Sequence, residues 1–294
     1  MMFRKYYVPI ILILLLIIYI FFFYKNVASR INPSRYNLLL AFYDSSLCEG
    51  FMVEYFKMRG VKTATLQHGI FSAFRENELI NSGVEPRTFH SDYFLCWNKF
   101  TLNEAQKQGC ATEKFLMCGI LGYVGTQYLP CNNPSNKLFG VVIGHPSFES
   151  ENLILIEGAN ILAQQTGYKY YLKLHPSYKE DYFADKVSSA FVGVVKKGIP
   201  MIDYANMVEF SVCGSSSVFA ELVYLNHNTI RHSDNSITDK FRDVKCGKIF
   251  DSPEGIVSVF GNGFNTEDQS ALFDELCTIK EIDKEYKKIL EPYS

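Results

Sequence analysis

The chain has 294 residues, 48% of them hydrophobic and 15% aromatic, with a formal charge of −2 at pH 7. A charge this close to neutral excludes a partner held by a broad basic field, so no nucleic acid is expected. The aromatic content excludes disorder as the main state. Eight cysteines are scattered without a C-x-x-C pair. Several lie inside apolar runs, so they read as free thiols of a reducing compartment rather than a disulfide frame.

Tyr6 to Tyr24 is an apolar run without a charge, flanked by Arg4, Lys5 and Lys25. About 20 apolar residues span a bilayer as a helix, and tyrosines at both ends suit the interfaces. A cleaved signal peptide and a buried core segment are the alternatives, but the run is longer than a typical signal h-region. The expectation is a single-pass transmembrane anchor. Lys25, Arg30 and Arg35 outweigh Arg4 and Lys5, which places the catalytic body on the cytoplasmic side of the inner membrane.

From Tyr36 onward short strands alternate with helices. Strands are expected at Asn37–Phe42, Lys62–Leu66, Asp92–Trp97 and Lys114–Cys118, with helices at Leu47–Met58 and Thr101–Gln108 between them. A segment rich in proline and asparagine, Gln127–Lys137, reads as an interdomain linker. A second set follows: strand Leu138–Ile143, helix Asn152–Gln165, strand Lys169–Leu174, strand Phe191–Val195 and a short helix starting at Ile202–Ala205. Next comes a strand ending at Cys213, then a helix through Tyr224 and a strand at Thr229–Arg231. Asn265–Leu290 reads as one closing amphipathic helix. This alternation implies α/β architecture with parallel sheets covered on both faces.

Three motifs sit at expected strand ends, where open α/β sheets place their ligands. Gln67-His68-Gly69 puts an imidazole at a turn. Its near-neutral pKa suits a general base that deprotonates a sugar hydroxyl, or it is a turn histidine bound to backbone. In Lys173-Leu174-His175-Pro176, proline restrains His175 to an extended conformation, placing it to stabilise a phosphate leaving group or simply ending the strand. Gly144-His145-Pro146 is a second His-Pro, and Gly144 lets the chain approach a ligand phosphate. The third motif, Gly214-Ser215-Ser216-Ser217 followed by Glu221, reads as a strand–turn–helix. Its hydroxyls lie at a helix N-terminus that favours an anion, and its carboxylate is placed to accept both hydroxyls of a ribose. An N-cap serine cluster with a solvated glutamate is the other reading. His90, His227 and His232 lack zinc-ligand spacing, and no metal site is expected.

In this order, Q-H-G-I-F-S-A-F, S-D-Y-F-L-C-W, K-L-H-P and S-S-S-V-F-A-E resemble a group of bacterial surface-polysaccharide glycosyltransferases with the two-lobed GT-B fold. The group includes polysialyltransferases, lipooligosaccharide sialyltransferases and capsule Kdo-transferases; CDP-glycerol glycerophosphotransferases of teichoic acid synthesis are similar too. The resemblance spans roughly Asn37 to Asn228. It implies two Rossmann-like lobes after the anchor at 6–24: an acceptor lobe at 36–126, the linker at 127–137 and a nucleotide-donor lobe at 138–294. It implies His68 as catalytic base, His175 on the donor phosphate, Ser216 and Ser217 on the nucleotide phosphate, and Glu221 on the ribose.

The activity implied is metal-independent, inverting transfer of a sugar from a nucleotide donor, CMP-linked sugars foremost, to a surface polysaccharide or lipid-linked glycan, with no cofactor. A CDP-polyol phosphotransferase and a catalytically inactive membrane scaffold of a capsule cluster are the competing readings. The first lobe, with about 90 residues, is shorter than the group's usual acceptor lobe.

Overall fold

A computed structural model describes residues 30–70, 88–123, 137–235, 239–244, 246–264, 266–276 and 282–293, with isolated helical positions between 15 and 26. The expected transmembrane run Tyr6–Tyr24 and the linker Gln127–Lys137 lie almost wholly outside the described residues. Within the first of these, Leu15, Ile18, Tyr19 and Phe22 are helical and exposed. No helix among the described residues is long and apolar enough to cross a membrane.

The first lobe is a four-stranded sheet, β1 (Leu38–Ala41), β2 (Lys62–Leu66), β3 (Tyr93–Cys96) and β4 (Phe115–Met117), paired in that order and parallel throughout. Helix α1 (Leu47–Lys57) starts where Ser46 accepts the Glu49 N–H, and α2 (Lys99–Lys107) where Asn98 accepts the Thr101 N–H. Each cap satisfies a donor that the first helical turn leaves open. Along β3 the side chains alternate faces. Phe94 and Cys96 pack with Ala105 of α2 and with Phe115.

Leu95 packs the other way. With Ala64 and Cys118 it joins a buried cluster that includes Phe219, Leu222, Leu272, Ile282 and Tyr286 from the second half of the chain. The short first lobe is thus covered on one face by residues of the second.

The second lobe is a six-stranded parallel sheet of β5 (Leu138–Val142), β6 (Lys169–Lys173), β7 (Phe191–Val194), β8 (Phe210–Cys213), β9 (Thr229–His232) and β10 (Lys248–Phe250). Their spatial order is β10-β9-β8-β5-β6-β7. The chain builds outward from β5 in one direction, then returns to its other side at β8 and builds the opposite way. This is a doubly wound sheet with its topological switch point between β5 and β8. Helices α3 (Glu149–Thr166), α4 (Met201–Met207), α5 (Ser217–Tyr224) and α6 (Gly255–Gly261) connect or flank the strands.

Where the sequence pattern reads as one closing helix, the structure has two, α7 (Thr266–Leu276) and α8 (Ile282–Leu290). They bury different surfaces: Leu272 and Phe273 of α7 pack with Tyr224, whereas the Tyr286 hydroxyl of α8 reaches the Gly119 carbonyl of the first lobe at 3.5 Å. Strand β10 and helix α6 are additions to the expected elements. Helix α3 begins at Glu149, three residues earlier than expected, which moves Glu151 and Asn152 into its first turn. All six described cysteines are free.

Candidate functional site

The strand order brings three motifs together. Neighbouring strands β8, β5 and β6 end respectively in the serine turn, in Gly144-His145 and in His175. They are dispersed over some 70 residues of sequence but share one edge of one sheet, at the switch point.

The two His-Pro histidines are built alike. His145-Pro146-Ser147 and His175-Pro176-Ser177 each fold the Ser N–H back onto the histidine Nδ1, at 3.1 and 3.2 Å. A ring nitrogen that accepts a backbone N–H carries no proton, so in the neutral imidazole the proton is assigned to Nε2. The rings meet edge to face with centroids 5.0 Å apart. Burial and the neighbouring His145 push the His175 pKa down, favouring the neutral Nε2–H donor form. Two hydrogen-bond donors of fixed tautomer thus stand side by side.

In the serine turn, the Ser215 hydroxyl accepts the Lys240 N–H at 2.5 Å and the Ser217 hydroxyl accepts the Ile70 N–H at 2.9 Å. Each hydroxyl keeps its own proton for donation. Ser216 is the N-cap of α5, and its side chain makes no capping bond. The Phe219 N–H bonds the Ser216 carbonyl at 3.0 Å, and the N–H groups that open α5 ahead of it lie at the positive end of the helix dipole.

Glu221, one turn along α5, accepts the Tyr123 hydroxyl at 2.7 Å. Burial pushes its carboxyl above the usual range, opposed by that hydrogen bond and by the charge of Lys173. Tyr123 closes the first lobe, so this contact crosses between lobes.

His68 is exposed at the end of β2, its ring against Phe42 (centroids 4.8 Å) and Tyr43 (5.6 Å). Buried Gln67 fixes the turn, donating to the Gly69 carbonyl at 2.6 Å and to the Thr101 hydroxyl at 2.9 Å while accepting the Trp97 N–H at 2.8 Å. Gly69 passes close over Ser217, where a Cβ would stand 3.1 Å from Oγ. The motif that carries His68 thereby touches the serine turn of the other lobe.

Sequence reasoning did not single out Glu151, Asn152, Tyr123 or Gln67, which hold these loops. Arg231 belongs in the sequence pattern only to a strand. It is buried at the end of β9, paired with Asp239 at 3.0 Å through both carboxylate oxygens, and donates to the Phe241 and Val244 carbonyls. The pair anchors the segment whose Lys240 N–H meets Ser215.

No family model and no curated protein sequence matches this chain. Solved structures do. The UDP-GlcNAc 2-epimerase of Methanocaldococcus jannaschii, in complex with UDP-GlcNAc and UDP, aligns over 87% of this chain and 75% of its own, with TM-score 0.57 and 12% identity. The wall teichoic acid polymerase TagF, soaked with CDPG, aligns over 87% and 71%, with TM-score 0.54 and 13% identity. The calicheamicin glycosyltransferase CalG4 aligns over 87% and 73%, with TM-score 0.54 and 9% identity. At such identities the likeness is one of fold: the chain has the two-lobed α/β fold of GT-B glycosyltransferases and UDP-GlcNAc 2-epimerases.

Proposed function

We propose that this chain is an inverting transferase that takes a sugar from a nucleotide donor and delivers it to a surface polysaccharide or lipid-linked glycan. The observation that carries the reading is the pair of Nε2–H imidazoles, His145 and His175, beside the serine turn at the switch point. Donors aimed where phosphate charge develops stabilise a leaving nucleotide without reorganising. Ser216 and the first N–H groups of α5 add to them, and Glu221 is the group for the ribose. His68 supplies the base: it accepts the proton of an acceptor hydroxyl as that oxygen attacks the anomeric carbon and the nucleotide departs from the opposite face. The run Tyr6–Tyr24 then anchors the enzyme at the cytoplasmic membrane, near lipid-linked acceptors.

A CDP-polyol phosphotransferase is the second reading, favoured by the likeness to TagF with CDPG. The same imidazoles and serines would serve it, with attack at phosphorus instead of carbon.

Calorimetric titration of the detergent-solubilised chain with CMP, CDP and UDP tests both. Saturable binding of one nucleotide, weakened in Ser216→Ala, is expected. Absence of binding by a folded sample would leave the inactive-scaffold reading. If the bound sugar stayed on its nucleotide with one carbon inverted, as NMR would show, the chain would be an epimerase.

A further inference from the structure

The two loops that flank the switch point are held by consecutive residues. Asn152 is wholly buried in the first turn of α3. Its Oδ1 accepts the Gly144 N–H at 2.8 Å, while its Nδ2 donates to the Gly144 carbonyl at 3.3 Å and the Tyr178 hydroxyl at 3.2 Å. The preceding residue, Glu151, reaches the other loop: its Oε1 accepts the Ser215 N–H at 3.0 Å. The same oxygen lies 3.2 Å from Nδ1 of His232, a buried histidine at the end of β9.

The fit is close. A Cβ on Gly214 would stand 2.4 Å from the Glu151 carboxyl carbon, so only glycine admits the carboxylate there. Neither contact belongs to the sheet.

We propose that Glu151 and Asn152 are positioning residues, a clamp in which one helical turn sets the spacing between the His145 loop and the serine turn. Resting on the donor-site reading above, the inference assigns ligand affinity to side chains that touch no ligand. The clamp explains why α3 starts early and why the chain turns tightly at Gly214. It works by reach: the carboxylate carbon of Glu151 spans from α3 to the Ser215 N–H, and a shorter side chain leaves that donor unpaired.

Hydrogen exchange reads the clamp without any ligand. In Glu151→Ala and Glu151→Asp, the amides of 214–217 should exchange faster, while those of 143–145 stay as in the wild type. Asn152→Leu, which removes both the acceptor for the Gly144 N–H and the donors to the Gly144 carbonyl and Tyr178, should do the reverse. Glu151→Gln keeps a side-chain oxygen of the same reach, able to accept from both the Ser215 N–H and His232 Nδ1–H, so it should match the wild type.

Nucleotide affinity should follow the same order: about tenfold weaker in Glu151→Asp and unchanged or tighter in Glu151→Gln. The global unfolding midpoint serves as control. Unchanged exchange at 214–217 in Glu151→Asp, or a Gln variant as impaired as Asp, would overturn the clamp. If exchange responds as expected but wild-type protein binds no nucleotide, the clamp stands and the donor-site reading fails.

Discussion

The backbone N–H of Ile70 donates to the Ser217 hydroxyl at 2.9 Å. One residue belongs to the first lobe and the other opens α5 in the second, 147 positions later. Because Ile70 is buried, its N–H has no water to replace that acceptor. The contact therefore couples the strand end that carries His68 to the serine turn of the second lobe. Removing it should cost stability as well as function.

The three serines should separate accordingly. Ser217→Ala leaves a buried N–H unpaired, a loss of about 1–3 kcal/mol, visible as a lower urea midpoint. Ser216→Ala removes a hydroxyl with no capping role, so its midpoint should not move while nucleotide affinity drops. Equal midpoints for the two variants would show that the lobes do not depend on the Ile70–Ser217 bond.

His68 gives a different signature. It is exposed, and its ring lies against Phe42 and Tyr43. His68→Ala should unfold like the wild type and bind nucleotide with unchanged affinity, because a base acts in the transition state. Transfer should fall by about 10²–10⁴-fold. A variant that kept full turnover would remove His68 from the chemistry.

Much of the architecture was legible in the sequence, because the strands of both sheets are apolar runs between helical periodicities. Strand β10 was not: Lys248–Phe250 is three residues, too short for alternation to register. Helix α6 carries glycines at both ends and β-branched residues inside, so propensity argues against it and packing of Ile256 against α3 and Phe250 sustains it.

The candidate site was half legible. His68, His145, His175 and the serines announce themselves by glycine or proline neighbours at strand ends. Glu151 does not, since a polar residue at a helix start looks solvated until β8 is seen beside β5. That adjacency skips two strands and brings Ser215 to Glu151 across 64 residues, and no local pattern encodes it.

Glu221 invites a test of the ribose assignment. The carboxylate that accepts the Tyr123 hydroxyl is the one proposed for the ribose diol. For the wild type, a 2′,3′-dideoxynucleotide should bind about tenfold more weakly than the parent nucleotide, the loss expected for hydrogen bonds to a charged group. In Glu221→Ala, which removes the acceptor, the two should bind alike. Tyr123→Phe, which frees that oxygen, should leave discrimination intact. If Glu221→Ala still prefers the parent nucleotide, the ribose is held elsewhere.

Acid sensitivity should trace to His227. Its ring is buried behind β8 with Nε2 2.9 Å from the Ser211 hydroxyl, and burial pushes its pKa down to about 4. The unfolded chain takes up the proton near pH 6.5, whereas the folded chain resists it until about pH 4. Between those values the unfolded state binds more protons, so stability is full above the unfolded pKa and declines as pH falls. With about 1.4 kcal/mol per unit, the decline approaches about 3 kcal/mol. His175, also shifted down, adds a smaller contribution of the same sign. Urea midpoints measured from pH 7 to 4.5 should therefore fall steeply in the wild type. In His227→Gln, which keeps a partner for Ser211 and cannot titrate, most of that slope should vanish. An unchanged slope would place the acid-sensitive group elsewhere in the fold.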